Sequence, residues 1–250
     1  MSKRDDVDLL YSRSKTMAAL CKYLFWGNCI IALTATICSG QLNAVLTYIQ
    51  IIGALLYLIL KSLDDGLFWY HAEMARRKNS IQVAFNVSLS ELETEGYYNN
   101  HVEPSVVKYA LNTFEGNYFS KFIAGKMLGK SAFMSLVSII VLIVTGWFIS
   151  SGDILLAMTQ AIFSAYVIED TLMLTIYKLK MDKLYDEAYS TLVTIGVKDE
   201  KQMVWLLAYA VEYEAIKAHY KVRLDSTIFN TYNDELSQKW DAIQQKIVIQ

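Results

Sequence analysis

Proline is almost absent from this sequence, and long stretches of it lack charge altogether. Its 250 residues include a single proline, Pro104. Because proline and dense turn signals punctuate sheet proteins, their scarcity predicts an overwhelmingly helical chain. Charged residues make up only 19% and hydrophobic residues 54%, which excludes an ordinary soluble domain. The net charge of −2 gives no global basic field that would indicate nucleic-acid binding.

Catalytic and metal-binding patterns are missing as well. The three cysteines, Cys21, Cys29 and Cys38, follow one another at intervals of eight and nine residues. No zinc site uses that spacing, so we interpret them as small apolar residues. Residues 124–131 match a relaxed phosphate-loop pattern, but the preceding sequence indicates a helix instead of the required strand. We therefore predict no enzyme activity and no cofactor.

Two apolar regions are each long enough to cross a membrane twice. No charge occurs in the 38 residues between Lys22 and Lys61. One crossing takes about 20 residues, and a polar turn near Gly40 divides this run into helices of about 21–39 and 43–61. In the second region Ser131–Gly152 carries no charge, and another apolar run, Ile154–Ile168, follows the polar turn SSGD. This region predicts helices 131–150 and 153–175. The predicted fold class is an all-α membrane protein with two transmembrane helical hairpins, that is, four crossings.

The remaining segments also carry helical patterns, and we expect the helices of the crossings to extend into them. The predicted division is a cytoplasmic N-terminal arm (1–20), a first transmembrane hairpin (21–61), a helical cytoplasmic segment (62–130), a second transmembrane hairpin (131–175) and a helical cytoplasmic tail (176–250). The second crossing is predicted to continue to about residue 87 and the fourth to Gly196. Further helices are predicted at about 104–128, from Asp199, and at about 226–247.

The basic residues all fall outside the hairpin turns. Residues 1–22 contain five, residues 61–130 contain eight and residues 178–250 contain ten, which accounts for all 23. Since cytoplasmic loops of membrane proteins carry the excess of Lys and Arg, both termini and the middle segment are predicted to be cytoplasmic.

Four acids lie where the second and fourth crossings approach the predicted cytoplasmic face: Asp64, Asp65, Glu169 and Asp170. The pair at 169–170 has two open interpretations. The helix simply leaves the membrane there, or one of the two carboxylates faces a pore. Because rings of carboxylates select cations, the second interpretation predicts an acidic pore mouth and a cation-preferring conductance.

A basic cluster, Arg76, Arg77 and Lys78, follows the second crossing, and two aromatic residues, Tyr97 and Tyr98, lie in a predicted loop. The cluster is either a solvated helix face or a contact for the phosphates of a ligand or lipid. Charge together with aromatic stacking is how proteins hold nucleotides and single strands. These five residues are therefore our candidate ligand-binding site.

The layout resembles a family of membrane effectors. The segments YSRSKTMAALCKY (11–23) before the first crossing and ARRKNSIQVAFN (75–86) after the second are similar in texture to the SMODS-associated four-transmembrane effectors. These are encoded beside nucleotidyltransferases in bacterial anti-phage defence. The resemblance covers about residues 15–250. Where those effectors often show a Phe-Asp pair after the second crossing, this chain has Phe85-Asn86.

The resemblance implies a function and partners. It implies an inner-membrane effector that forms a pore gated from the cytoplasm by a nucleotide or single-stranded oligonucleotide made by a partner nucleotidyltransferase. A pore implies self-association in the bilayer, as a cyclic homo-oligomer of four or more copies. Two alternatives stay open: a non-conducting scaffold or receptor subunit that recruits a cytoplasmic partner, and a transporter, which usually has more crossings or broken helices.

Topology is the first testable prediction. A reporter fused after Gln250 or inserted near Asn99 should give a cytoplasmic signal, because every basic residue lies on that side in the predicted arrangement. A reporter inserted in 39–43 or 151–153 should give an external signal. An external signal from the C-terminus would overturn the orientation.

Overall fold

The described part of the chain is helical throughout. The computed structural model describes residues 5–92, 94, 98, 100, 102–148, 154–196 and 199–247. The elements are α1 (Asp8–Ile37), α2 (Gln41–Leu63), a π-helical turn (Asp64–Phe68), α3 (Trp69–Phe85), α4 (Val106–Phe148), α5 (Ile154–Tyr189), a second π-helical turn (Ser190–Ile195), α6 (Glu200–Tyr220) and α7 (Ser226–Gln244). No strand occurs among these residues, and Asp5 and Thr94 form one isolated bridge. The predicted helical class is confirmed.

The chain divides into two compact units. One, the apolar unit, comprises Asp8–Glu73 and Lys130–Leu172. The other, the aromatic unit, comprises Met1–Val7, Met74–Gly129 and Met173–Gln250.

A short turn joins α1 to α2 in the apolar unit. Gly40 has φ +67° and ψ −141°, a conformation that only glycine adopts without strain. The Asn43 amide donates to the carbonyl oxygens of Ala35 (2.9 Å) and Cys38 (3.4 Å). It thereby satisfies carbonyls that the end of α1 leaves open. The polar residues around Gly40 thus form the turn that the sequence predicted here.

The helix that starts with α2 continues through a π-helical turn into α3. Gly66, a weak helix former, lies in that turn, and the helix continues through it. The end comes at Phe85, because Asn86 adopts φ +54°, a left-handed conformation that asparagine tolerates. The sequence predicts that this helix reaches about residue 87, and in the structure it ends two residues earlier.

Three helices in the described chain are long and apolar enough to cross a membrane: Asp8–Ile37, Gln41–Phe85 and Val106–Trp147. The turn predicted at 151–153 lies outside the described residues. Four crossings and the arrangement of two hairpins therefore stay predictions.

The apolar unit exposes large apolar side chains and buries several polar residues beside a hydrophobic cluster that includes Phe25. Ile30, Ile52 and Trp147 are 63%, 64% and 83% exposed. By contrast, these polar residues of the unit are buried: Asn28, Thr47, Gln50, Asp64, Ser135, Ser138, Thr145 and Ser164. A surface of this kind is unfavourable in water and favourable against hydrocarbon.

Hydroxyl groups join α4 to α5 within the apolar unit. Ser135 donates to the Val167 carbonyl oxygen at 3.2 Å, and Ser164 donates to that of Ser138 at 3.3 Å. Ser131 and Thr171 share a hydroxyl–hydroxyl hydrogen bond of 2.6 Å. Small residues with hydroxyl groups let helices approach closely and bond across the interface, as membrane helices do.

Aromatic side chains form the core of the aromatic unit. The Trp240 ring from α7 lies 5.2 Å from that of Phe114 and 6.0 Å from that of Tyr118, both on α4. Tyr185 of α5 lies 5.1 Å from Phe114. Aromatic pairs at these separations stabilise a core beyond the area that they bury.

Side-chain caps start the helices of this unit. Asp199 and Gln202 form a capping box at α6, with hydrogen bonds of 2.9 and 3.2 Å. Asp225 accepts from the Thr227 amide at 2.8 Å at α7. At α4, Ser105 accepts from the Lys108 amide at 3.2 Å, so α4 begins just after Pro104 and not with it.

Close contact between α4 and α6 depends on Gly116. A Cβ placed on Gly116 would lie 2.9 Å from the Tyr213 hydroxyl oxygen. Tyr213 is buried, and its hydroxyl lies 3.4 Å from that of Ser120. Burial raises the pKa of the Tyr213 phenol, which stays protonated as a hydrogen-bond donor.

We expect Gly116→Ala to lower the free energy of unfolding by roughly 1–2 kcal/mol, because overpacking outweighs the better helix propensity of alanine. Gly129→Ala in the same helix is the matched control, since a Cβ there meets nothing within 4 Å. Tyr213→Phe removes the clashing oxygen. In thermal unfolding of the detergent-solubilised chain, Gly116→Ala with Tyr213→Phe should therefore cost less than the sum of the single changes. Full additivity would contradict the contact.

Candidate functional site

An ion pair joins α2 to α5 near one end of the apolar unit. The Lys61 ammonium group is hydrogen-bonded to the Asp170 carboxylate, and their side chains are 18% and 49% exposed. The Lys61 nitrogen also lies 5.8 Å from the centre of the Tyr166 ring. This contact puts Lys61 and Asp170 at the same level of the unit.

The other predicted pore-mouth acids have different surroundings. Asp64 follows Lys61 by one turn, begins the first π-helical turn and is buried, with 1% of its surface exposed. Asp65 is half-buried. Glu169 is exposed and makes no ion pair with the described residues. The four acids therefore have different surroundings, and Glu169 is an exposed carboxylate without an ion pair to the described residues.

The predicted basic cluster separates on α3. Arg76 donates to the Asp5 carboxylate at 2.9 Å, with the two side chains 12% and 24% exposed. Arg77 Nε donates to Glu214 of α6 at 2.6 Å. Lys78 is exposed. Successive helical residues point about 100° apart, so the structure does not bring the three basic groups to one phosphate.

The predicted aromatic partners of this cluster are only partly described. The Tyr98 hydroxyl donates to the Ser80 hydroxyl at 3.3 Å. Tyr97 lies outside the described residues. Tyr98 thus packs beside α3, two residues beyond Lys78, and the full set of five candidate ligand-binding residues stays a prediction.

Amide side chains on α3 hold the following loop, a role that no sequence pattern predicted. Gln82 Oε1 accepts from the backbone amides of Leu89 (3.0 Å) and Ser90 (3.1 Å). Asn79 Oδ1 accepts from the Thr94 hydroxyl at 2.5 Å, and its amide nitrogen donates to the Leu92 carbonyl oxygen at 3.4 Å. Two amide residues three positions apart near the end of a predicted helix, before a segment without helical pattern, are the sequence signal for such anchors.

A half-buried cation on α4 was not predicted from the sequence either. The Lys121 ammonium nitrogen lies 3.2 Å from the centre of the Tyr185 ring. Burial lowers the pKa of Lys121, and nearby Asp182 and Asp186 oppose that shift. Burial also raises the pKa of Tyr185 to about 12, so the ring stays neutral and its face attracts the cation.

A shallow groove of about 670 Å³ lies on the aromatic unit. Lys183, Asp186, Glu187, Ser190, Thr191 and Trp205 line it. Lys183 pairs with Glu187 at 3.6 Å on the groove's edge. Two of the lining residues, Ser190 and Thr191, belong to the second π-helical turn, which no sequence pattern predicted.

The relaxed phosphate-loop match lies inside a long helix. Residues 124–131 lie inside α4, so the glycines and lysines there form no phosphate-binding loop. Within the described residues, no group of His, Cys, Asp and Glu side chains could hold a metal ion.

Comparison with known proteins gives no relative: no family model, no curated protein and no solved structure matches the chain.

Arg77 and Lys78 are adjacent in sequence but have different surroundings, and substituting each of them tests this difference. Arg77→Gln should lower the free energy of unfolding by about 1–3 kcal/mol, because it leaves the partly buried Glu214 carboxylate without its cation. Lys78→Gln should change it by less than about 0.5 kcal/mol, since Lys78 is exposed. Thermal unfolding in detergent measures both. Equal effects of the two substitutions would contradict the separation.

Proposed function

We propose that the chain is a multi-pass inner-membrane protein with four crossings and both termini in the cytoplasm. The exposed large apolar side chains of the apolar unit support insertion into a bilayer. The confinement of all 23 basic residues to segments outside the predicted hairpin turns supports the orientation.

The proposed activity is that of a bacterial anti-phage effector: a homo-oligomeric ion channel or pore, gated from the cytoplasm by a nucleotide or oligonucleotide that a partner nucleotidyltransferase makes. The family and its signal rest on the sequence resemblance alone.

The observation that best supports conduction is the polar interior of the apolar unit together with its acids. Polar and acidic groups inside a membrane are costly, and they commonly mark ion pathways. Asn28, Gln50 and Asp64 are each at most 2% exposed. Glu169 adds an exposed carboxylate adjacent to the Lys61–Asp170 pair, and repeating it around an axis would create an acidic ring.

A second candidate function is a non-conducting scaffold or receptor subunit. The hydroxyl bonds between α4 and α5 favour it, because Ser135 and Ser164 donate to carbonyl oxygens of the facing helix within one chain. In that case the polar residues hold the bundle together and line no pore.

Planar-bilayer recording of the purified full chain distinguishes the two functions. A channel gives discrete current steps, whose open probability changes when candidate cyclic nucleotides or oligonucleotides are added on the side that carries the termini. A scaffold gives a silent bilayer although the protein is inserted and folded.

Ion selectivity is the sharper prediction. We expect a cation-preferring conductance that Glu169→Gln reduces, measured as a shift of the reversal potential towards zero in asymmetric salt. The matched control is Lys61→Gln combined with Asp170→Asn, which removes one charge of each sign and should leave the selectivity nearly unchanged. An anion-selective wild type, or equal shifts in both variants, would reduce Glu169 to a marker of membrane exit.

A further inference from the structure

Helix α6 has an apolar stripe that nothing in the described chain covers. Val204, Leu207 and Val211 are 69%, 45% and 59% exposed, and they follow one another at intervals of three and four residues. The opposite face of α6 is buried in the aromatic core through Leu206, Tyr209 and Tyr213. The helix is therefore apolar on both faces, and only one of them is used within the chain.

Two opposite charges flank the stripe on one side. Lys201 and Glu212 are exposed, and neither has an ion-pair partner among the described residues. They are eleven residues apart, which is almost exactly three helical turns, so they lie about 20° apart around the helix axis.

This arrangement is self-complementary. When two copies of α6 pack antiparallel with their midpoints between Leu206 and Leu207, Lys201 of each copy lies opposite Glu212 of the other. Antiparallel helices put the same flank of each copy side by side, so both ion pairs form at once. The apolar stripes then cover each other.

We infer that the α6 stripe is a docking surface for a second copy of this chain, through a two-fold antiparallel helix pair. The inference goes beyond the proposed cyclic oligomer, because a two-fold contact joins copies in pairs, whereas neighbours in a ring of four or more copies meet through two different surfaces. A lipid surface fits less well, because helices that lie on membranes carry an excess of Lys and Arg on their flanks. Here the flank has one charge of each sign.

The pair is expected to be weak in solution and effective in a membrane. One helix face buries less than the roughly 1,200–2,000 Å² of a stable soluble interface. Copies confined to one bilayer meet at a higher effective concentration, which compensates for a small contact. The tests therefore use the full chain reconstituted in lipid vesicles.

Disulfide trapping tests the geometry. In a background with Cys21, Cys29 and Cys38 replaced by alanine, Leu207→Cys and Ala218→Cys are compared under mild oxidation. In the antiparallel pair the two copies of residue 207 are offset by about 1.5 Å along the axis, and those of residue 218 by about 35 Å. Covalent dimer is expected for Leu207→Cys and not for Ala218→Cys. Dimer at both positions, or at neither, overturns the inference.

Charge reversal tests the pairing independently. Lys201→Glu or Glu212→Lys alone should slow cross-linking of Leu207→Cys by roughly 2- to 30-fold, because exposed ion pairs contribute modestly. The two reversals together should restore the rate. Failure of the double variant to recover overturns the pairing.

The outcome is separable from the proposed activity. Cross-linking needs no conduction, so a silent bilayer with trapped dimers rejects the channel and keeps the docking surface. Ligand-dependent currents without trapped dimers support the channel and reject the docking surface. A third outcome is that Leu207→Cys does not cross-link and is protected from a water-soluble maleimide only in lipid. This outcome would assign α6 to the bilayer surface and would contradict the inference.

Discussion

Hydrocarbon offers no hydrogen-bond partner, and this constraint explains how the apolar unit is built. Every backbone polar group that enters a membrane must be satisfied by the chain itself. The unit follows this rule with helices, with an asparagine that bonds to the end of the preceding helix and with serines that donate to carbonyls across α4 and α5. Among its side chains, the amide nitrogen of Asn28 and the hydroxyl of Ser138 are buried without a hydrogen-bond partner in the described chain. The same constraint explains why isoleucine and tryptophan side chains are exposed while Gln50 is completely buried.

The aromatic unit is built differently, with aromatic rings from α4, α5 and α7 packed in its core. Its helices start at side-chain caps, and its core depends on contacts such as that between Gly116 and Tyr213. Two ion pairs on α3 tie distant segments to this unit. Since Arg76 and Arg77 are bound to Asp5 and Glu214, a phosphate could use them only by displacing a carboxylate. A ligand for this unit would meet less competition at Lys78 or at the groove beside Trp205.

Local patterns in the sequence were sufficient for most helices and insufficient for the contacts between them. Uncharged runs, the polar turn near Gly40 and the acid at Asp199 predict where helices lie, because each depends on neighbouring residues. The partners of the basic residues could not be predicted. Arg76 and Asp5 are 71 residues apart, and Arg77 and Glu214 are 137 apart. The three basic residues are adjacent in sequence, but successive side chains on a helix point in different directions, so each has different surroundings.

The adjacent acids Glu169 and Asp170 show how the same geometry divides roles at the membrane boundary. Consecutive side chains on a helix cannot share one direction, so only one of them can meet Lys61. Asp170 does so, and the ion pair cancels its charge within the chain. Glu169 is left exposed with its charge uncompensated by the described residues. In the proposed bilayer insertion, a lone carboxylate near the boundary is costly against lipid and much less costly against water or a neighbouring copy. The ion pair accounts for Asp170 within the chain, and the proposal then requires that Glu169 meets water or a neighbouring copy.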